Sequence, residues 1–140
     1  MITPHPGEAA RLLSKTENHT TADVQKDRFT AVKKLHQLFH QPGSCTVILK
    51  GSGTLIFDGR TISVCRLGNA AMAAPGMGDV LSGIVIALLA QNKIFADAAN
   101  SDLAELAVCL HATAAALATA DKTRGLLASD VINELIEVLQ

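Results

Sequence analysis

The sequence predicts an α/β domain whose helices gather towards the C-terminal end. A β-branched apolar run, Cys45–Lys50, lies between two glycines and is typical of a buried strand. Helical periodicity precedes this run, and three further helical segments follow it. The 140 residues are 49% hydrophobic and 18% charged, a core-forming composition of a size that fits one domain, residues 1–140.

The N-terminal third alternates turn signals with helical patterns. The segment Thr3-Pro4-His5-Pro6-Gly7-Glu8 is extended and rich in turns, because proline is excluded from helix interiors. A short helix is predicted over Glu8–Leu13 and a polar loop over Ser14–Thr21. Asp23–His40 has apolar residues at helical spacing, and Gln41-Pro42-Gly43 is expected to end that helix.

The central third predicts the sheet. Cys45–Lys50 reads as a parallel strand, and a hairpin is predicted over Thr54–Val64 with Asp58-Gly59 as a type I′ turn. Ile2 has the character of the end of a strand whose body is missing. A parallel sheet needs more strands than these, so we expect the chain to be the back half of a larger α/β domain.

The last third predicts three helices. Val80–Gln91 is apolar on nearly every side and is expected to be buried, while Asp102–Ala120 is rich in alanine. A final amphipathic helix is expected to begin with Ser129 as its N-cap. The apolar runs within these segments are too short and interrupted for a bilayer, so no membrane association is predicted.

Composition excludes several classes of function. The net charge of −1 and the 3% aromatic content, without Trp or Tyr, argue against a nucleic-acid surface. Cys45, Cys65 and Cys109 are odd in number and widely spaced, which predicts reduced, buried thiols in a cytoplasmic protein and no metal site. His36 and His40 lie four apart on a predicted helix; a metal pair is conceivable, but a solvated helix edge is favoured.

The most informative segment runs from Gly68 into the helix that follows Gly78-Asp79. Glycine lets the backbone approach a ligand closely, and the first N–H groups of a helix lack intrahelical partners. The N–H groups of Gly76, Met77 and Gly78 are therefore candidates for an anion hole. Asp79 can act as a base or accept a substrate hydroxyl. Taken singly, Gly78-Asp79 is better explained as a helix cap than as a catalytic pair, and the residues around it favour function.

Five segments in this order resemble one known family: Thr3–Glu8, Leu49–Thr54, Gly68-Asn69 with Met72, Gly76–Gly83 and Gly125–Asp130. Together they look like the C-terminal half of NAD(P)H-hydrate dehydratase, a member of the ribokinase-like superfamily, and the likeness extends from Ile2 to about Val138. The resemblance implies the C-terminal portion of a three-layer ribokinase-like fold.

The resemblance also implies an activity and a set of site residues. The expected reaction is the ADP- or ATP-dependent dehydration of hydrated NADH or NADPH, a hydro-lyase reaction, with Mg²⁺ bridging the nucleotide phosphates. His5 and Asp79 would contact the hydrated cofactor, and Asp79 would be catalytic. Gly76, Met77 and Gly78 would stabilise the transferring phosphoryl group. The expected adenine-nucleotide contacts are Lys50, Gly51, Ser52, Gly53, Thr54 and Gly78.

Other functions stay open on the sequence alone. His5 outside this family context reads as an exposed loop residue, and Lys50 as a solvated charge. The chain is also compatible with a small-molecule kinase of the same superfamily, for instance one acting on a vitamin precursor. A non-catalytic folded remnant is the third hypothesis. We expect a homo-oligomer or a need for the missing N-terminal half, since an exposed sheet edge promotes association.

Overall fold

The computed structural model describes residues 1–15, 18–39, 45–92, 98–119 and 125–140. The chain divides into two compact units, Met1–Cys65 and Arg66–Gln140. The α/β class is confirmed, with the strands in the first unit and long helices in the second. The single domain expected over residues 1–140 stays a prediction.

A three-stranded antiparallel sheet forms the centre of the first unit. Its strands are β1 (Val47–Leu49), β2 (Thr54–Phe57) and β3 (Ile62–Cys65), in the order β1-β2-β3. All three residues of β1 are buried, as expected for an apolar run without alternation. The sequence predicts β1 to be a parallel strand, but β1 pairs with its neighbour β2 in antiparallel orientation.

The other side of β1 does carry parallel pairing. The Ile2 N–H donates to the Thr46 carbonyl at 3.0 Å, and the Ile48 N–H donates to the Ile2 carbonyl at 2.8 Å. The Lys50 N–H then donates to the Pro4 carbonyl at 2.9 Å. The segment before the first helix thus runs alongside β1 in the same direction, which agrees with the strand-end character predicted for Ile2.

Three helices share the core of this unit with the sheet. Helix α1 (Pro6–Leu13) begins two residues earlier than predicted, because Pro6 occupies the first helical position, where no N–H is needed. The single helix predicted over Asp23–His40 is wrong: α2 (Thr21–Lys26) and α3 (Arg28–Phe39) are separated at Asp27.

Asp27 explains the separation of α2 from α3. Its backbone lies outside the helical region, at φ −141° and ψ 81°. Its side chain accepts a hydrogen bond from the Thr30 N–H at 2.9 Å, the local bond with which Asp competes against a continuous helix. The predicted stop at Gln41-Pro42-Gly43 lies outside the described residues.

The hairpin is confirmed, but its turn is not the predicted type I′ pair. Phe57 pairs with Ile62, which leaves a four-residue loop, Asp58–Thr61. The Asp58 carboxylate accepts from the N–H groups of Arg60 at 2.7 Å and Thr61 at 2.8 Å. A side chain that bonds forward along the backbone stabilises a longer loop than the Asp-Gly dipeptide alone suggests.

The core of the first unit lies between the sheet and its helices. Burying such side chains is the main source of stability, and truncating a fully buried leucine such as Leu35 costs about 2–5 kcal/mol. This core contains Ala9, Ala10, Leu13, Val24, Ala31, Val32, Leu35, Val47, Leu49, Leu55 and Phe57.

The second unit is helical. A 3-10 turn over Ala70–Met72 precedes α4 (Met77–Gln91), α5 (Asn100–Thr119) and α6 (Ala128–Val138), and α5 packs against both other helices. The buried positions of α5 recur at helical spacing and include Ala104, Ala107, Ala114 and Ala115, small side chains that allow helices to approach closely.

Two expectations for this unit are corrected. Helix α4 is not buried on all sides, since Ile86 is 66% exposed. Helix α6 begins at Ala128 rather than after a Ser129 cap. Its N-cap is Leu127, whose N–H donates to the Asp130 carboxylate at 2.9 Å, so the capping bond comes from the third helical residue.

Helix α5 spans 20 residues and is longer than the short apolar runs on which the prediction of no membrane span was based. By length and composition it is the one helix within the described residues that would be able to cross a membrane, and half of its most apolar window is buried inside the chain. Helices in the core of a folded domain share this length and composition. The expectation of no membrane association stays a prediction.

The thiols and one histidine also differ in part from expectation. None of the three cysteines forms a disulfide. Only Cys65 is buried, while Cys109 is exposed. His36 is not on a solvated edge: it is buried, its Nδ1 lies 2.7 Å from the Cys45 carbonyl, and its ring meets Phe57 edge-on. His40 lies outside the described residues.

Candidate functional site

In the first unit the candidate residues lie where two parallel segments end. The parallel bonds between residues 2–4 and β1 stop at the bond from Lys50 to Pro4. His5 follows Pro4, and the glycine loop follows Lys50. The carboxyl ends of parallel strands are the common position of ligand sites in α/β proteins. The structure therefore brings His5, Lys50 and the loop over residues 51–54 to one edge of this unit.

His5 is fixed by its role as the N-cap of α1. Its Nδ1 accepts hydrogen bonds from the N–H groups of Gly7 at 3.1 Å and Glu8 at 3.3 Å. An atom that accepts two donors carries a lone pair, so the ring proton lies on Nε2. The His5 ring is thus held in one tautomer, with about half of the side chain, 52%, exposed.

Glu8 links His5 to Lys50, and the sequence analysis gave it no role. One Glu8 oxygen lies 3.2 Å from His5 Nε2, and the other lies 3.8 Å from Lys50 Nζ. The second oxygen also accepts from the His5 N–H at 2.7 Å. Glu8 stands three residues after a capping residue, the capping-box spacing, and this signal would have found it.

Arg28, the first residue of α3, holds the glycine loop over residues 51–54 in place through hydrogen bonds to backbone carbonyls. The Arg28 guanidinium donates to the carbonyls of Gly53 at 2.9 Å and Leu49 at 3.1 Å, and also to those of Lys50 and Ser52. Burial lowers the pKa of Arg28 from its usual value, yet guanidinium stays protonated in proteins. No sequence pattern indicates this contact, since 21 residues or more separate the partners.

The loop itself depends on glycine. Gly51 has φ +142° and Gly53 has φ +67°, a region that side chains disfavour. A Cβ added at Gly51 would lie 3.1 Å from an Arg28 guanidinium nitrogen. The Thr54 hydroxyl donates to the Gly51 carbonyl at 3.3 Å, which closes the loop at its far end.

In the second unit the loop before α4 is anchored by Asn69. Its side-chain oxygen accepts from the Ala71 N–H at 2.9 Å, and its amide donates to the Thr119 hydroxyl at 2.9 Å. Thr119 is buried and donates in turn to the carbonyl of Ala115. Asn69 thus caps the 3-10 turn and ties the loop to α5.

The start of α4 has the features of an anion site. Gly76 is the N-cap with φ +84°, and its carbonyl accepts from the N–H groups of Asp79 and Val80, both at 3.0 Å. Helix geometry leaves the N–H groups of Met77 and Gly78 without a partner inside the helix. The positive end of the helix dipole lies at the same point.

Asp79 lies in the first turn of α4 and is exposed. Ser82, one turn on, donates its hydroxyl to the Gly78 carbonyl at 2.9 Å. Asp79 is therefore accessible to a ligand held by the N–H groups next to it. The structure confirms that Gly76, Met77, Gly78 and Asp79 share one helix start, and their roles remain predictions.

A groove of about 390 Å³ lies on the first unit next to these residues. It is lined by Ile2, Thr3, Pro4, Glu8, Arg11 and Leu12. It shares residues 2–4 and Glu8 with the site described above, but none of the predicted site residues lines it. No group of three His, Cys, Asp or Glu side chains in the described parts of the chain is arranged to hold a metal ion.

Comparison with known proteins identifies the family. Residues 1–137 match the NAD(P)H-hydrate dehydratase family. The bifunctional NAD(P)H-hydrate repair enzyme of Vibrio cholerae is 49% identical over 140 residues, covering 99% of this chain and 26% of the relative. The ADP-dependent (S)-NAD(P)H-hydrate dehydratase of Neisseria meningitidis is 49% identical over 92 residues, covering 65% of this chain and 28% of the relative.

A solved structure shows the same fold. The ADP/ATP-dependent NAD(P)H-hydrate dehydratase of Bacillus subtilis, co-crystallised with ATP and Mg²⁺, matches 99% of this chain with a TM-score of 0.79 at 28% identity. The match covers 46% of that chain, so the chain spans less than half of this solved relative and about a quarter of the repair enzymes. With a family match over residues 1–137, the chain belongs to the NAD(P)H-hydrate dehydratase family.

Proposed function

We propose that this chain carries nucleotide- and substrate-binding residues of an ADP- or ATP-dependent NAD(P)H-hydrate dehydratase, a hydro-lyase of metabolite repair. The names of the relatives in Vibrio cholerae, Neisseria meningitidis and Bacillus subtilis support this substrate and this dependence on nucleotide. The observation that carries the proposal is the start of α4, where an exposed carboxylate stands beside backbone N–H groups at the positive end of a helix.

That arrangement suits phosphoryl transfer to a hydroxyl. The N–H groups of Met77 and Gly78 stabilise negative charge on the terminal phosphoryl group as it moves. Asp79 accepts the proton of the substrate hydroxyl as its oxygen attacks phosphorus. The shorter nucleotide leaves, and the hydroxyl of the hydrated nicotinamide ring becomes a phosphate ester.

Phosphorylation converts a poor leaving group into a good one. The ester leaves as phosphate and carries away the former hydroxyl oxygen, while the ring loses a proton from the adjacent carbon and the double bond returns. The balance is hydrated NAD(P)H and ATP giving NAD(P)H, ADP and phosphate, or ADP giving AMP in the same way. The consumed nucleotide thus drives the loss of water.

Mg²⁺ fits the site as a companion of the nucleotide. In nucleotide sites Mg²⁺ is held by phosphate oxygens, waters and one or two carboxylates rather than by a protein cage. Asp79 is the carboxylate nearest the proposed phosphate position along the chain, at the third residue of α4. When bound, Mg²⁺ neutralises charge on the phosphates.

The first unit supplies the remaining proposed contacts. Lys50 lies at the end of β1 with 21% of its side chain exposed, and its ammonium suits a phosphate. The Gly51–Thr54 loop presents backbone groups without bulky side chains to the nucleotide. His5, whose Nε2 lies 3.2 Å from a Glu8 carboxylate oxygen, offers the exposed half of its ring as a contact for the hydrated cofactor.

Nucleotide binding is tested first by thermal unfolding with Mg·ADP, Mg·ATP and Mg·AMP. A ligand at a hundred times its Kd stabilises the folded chain by about 2.7 kcal/mol, so we expect a raised Tm with ADP or ATP. Gly78→Val should abolish the shift, because its side chain crowds the N–H groups. Gly83→Val is the matched control, since Gly83 lies on the same helix with nothing within 4 Å of an added Cβ.

Catalysis is then tested with hydrated NADH and the preferred nucleotide. The proposal predicts that NADH forms together with one phosphate per turnover. A parallel assay replaces hydrated NADH with a vitamin-type alcohol, and phosphorylation of that alcohol with no turnover of hydrated NADH would instead show a small-molecule kinase. No nucleotide-dependent shift and no turnover would overturn the proposal and leave a non-catalytic chain.

A further inference from the structure

We propose that Arg28 is a positioning residue that shapes the loop over residues 50–54 for nucleotide binding. This inference rests on the proposed function, because it assigns to that loop the adenine nucleotide as its ligand. Arg28 lies at the start of α3, outside the loop and outside the five short segments on which the resemblance to the family was first based. Its effect on the ligand passes through the backbone that it holds.

The contacts of Arg28 converge on one short stretch of backbone. One terminal nitrogen donates to the carbonyls of Ser52 and Gly53, and the other donates to those of Leu49, at 3.1 Å, and Lys50, at 3.4 Å. A planar guanidinium carries donors in a fixed fork. Its two ends therefore fix the position of both limbs of the loop relative to each other.

The direction of these carbonyls decides where the loop's donors point. All described peptide bonds are trans, so the C=O and the following N–H point in nearly opposite directions. With the Lys50 and Ser52 carbonyls turned towards Arg28, the N–H groups of Gly51 and Gly53 point away from it. Gly51 is exposed and Gly53 is partly exposed, so the donors of this loop face the side that a phosphate or ribose oxygen can reach.

The positive charge of Arg28 also favours the binding of an anion by this loop. The oxygens that it contacts in the described residues belong to neutral peptide groups, so these bonds leave its positive charge in place beneath the loop. A half-buried cation near backbone donors strengthens the local attraction for an anion. Polyphosphate is the anion that the proposed reaction brings.

Because Arg28 packs closely against Gly51, the shape of the loop depends on an arginine side chain at this position. An added Cβ at Gly51 would lie 3.1 Å from one guanidinium nitrogen and 3.3 Å from the guanidinium carbon. Lysine at position 28 would place one ammonium where four carbonyls now share two nitrogens. We therefore expect Arg28→Lys to keep the charge and lose the shape of the loop.

The test follows the free protein and its nucleotide complex in parallel. Amide ¹⁵N relaxation reports the order of residues 50–54, and calorimetry gives the Kd for Mg·ADP, in the wild type, Arg28→Lys and Arg28→Gln. Lys33→Gln is the matched control, because it removes one charge from an exposed position on the same helix. Arg28→Lys keeps the experiment decisive if Arg28→Gln does not fold.

We expect both Arg28 variants to increase motion at Gly51 and Gly53 and to weaken Mg·ADP binding about 10- to 100-fold, the range of lost charge-assisted hydrogen bonds. In turnover assays the KM for nucleotide should rise while the KM for hydrated NADH and kcat change little. A purely structural role would instead lower thermal stability and affect both substrates alike.

Two results would overturn the inference. One is a loop that stays ordered in Arg28→Lys with a Kd within about twofold of wild type. The other is equal loss in Lys33→Gln. Failure of the proposed function has a different signature: the wild type then binds no Mg·ADP, while the relaxation data still decide whether Arg28 orders the loop.

Discussion

The two glycine loops of this chain are built in different ways. The loop after β1 is held by Arg28, which contacts it from α3 at separations of 21–25 residues. The loop before α4 begins at Asn69, which ties it to Thr119 of α5, but its end at the helix start is shaped by its own sequence, with Gly76 at φ +84°. The first loop is thus held along its length by a distant side chain, whereas the helix start of the second depends on local backbone geometry.

This difference suggests a division of roles. A loop held by a remote side chain can be weakened without touching the ligand, so its variants should change nucleotide affinity. A helix start that carries Asp79 brings a reactive side chain next to backbone donors, so its variants should change turnover. The following predictions separate these effects, from the largest to the smallest.

Asp79→Asn should lower dehydratase turnover by about 10²–10⁴-fold, the usual contribution of a positioned base. The Kd for Mg·ADP should change little, because the backbone donors of α4 remain. Steady-state kinetics and calorimetry on the same samples measure both quantities. Asp102→Asn, which changes a first-turn carboxylate of α5, is the control, and an equal loss there would contradict the assignment.

Gly76→Ala should destabilise the chain by about 1–2 kcal/mol, because a side chain at this left-handed position is strained. Its Cβ would also lie 3.0 Å from the Ala128 Cβ. Gly83→Ala should stabilise by up to about 1 kcal/mol through helix propensity alone. Urea unfolding of the pair measures the contrast, and stability changes of the same sign would refute this description of the helix start.

Asn69→Ala should cost about 1–2 kcal/mol, since it removes the bonds to Ala71 and Thr119. Asn69→Asp keeps the oxygen that caps the Ala71 N–H and loses the amide that donates to Thr119. Aspartate should therefore recover part of the lost free energy of unfolding, measured in urea. If it recovers none, the cap contributes nothing and the bond to Thr119 carries the whole effect.

The smallest predicted effect is a pH dependence of stability that arises from the Asp58 carboxyl. Hydrogen bonds from the backbone N–H groups of Thr61 and Arg60 lower the pKa of the Asp58 carboxyl. A depressed folded-state pKa adds stability above the unfolded value of about 4, and that stability is lost as the pH falls through the folded pKa. The difference in unfolding free energy between wild type and Asp58→Asn should thus shrink on acidification.

Acid titration of both proteins by circular dichroism measures this difference. A difference that stays constant from neutral pH into the acid range would show that the Asp58 charge adds nothing to the loop.

The same contrast explains what the sequence could predict. Helices α4 and α5 and the strand β1 were predicted because their signals are local: apolar periodicity, alanine content and a β-branched run between glycines. The break at Asp27 was missed, since a single side chain bond to the Thr30 N–H overrides a continuous helical pattern. The hairpin turn was missed for the same reason at Asp58.

Within the candidate site, the residues predicted from the sequence lie on local motifs. Gly76–Asp79 share a helix start, and His5 and Lys50 follow segments that pair in parallel. Glu8 and Arg28 act across the chain, through ion pairing to Lys50 and bonds to four carbonyls. The capping-box spacing marks Glu8 itself, but its pairing with Lys50 and the bonds of Arg28 have no fixed sequence spacing, so periodicity and motifs do not show them.

An ADP titration with Mg²⁺, followed by the backbone amide signals of the ¹⁵N-labelled chain, shows whether the two glycine loops bind the nucleotide. We expect saturable shifts at Gly51, Gly53, Met77 and Gly78, with unchanged signals at the exposed end of α6. Saturating ADP that moves the amide signals of neither glycine loop would contradict the proposed nucleotide binding.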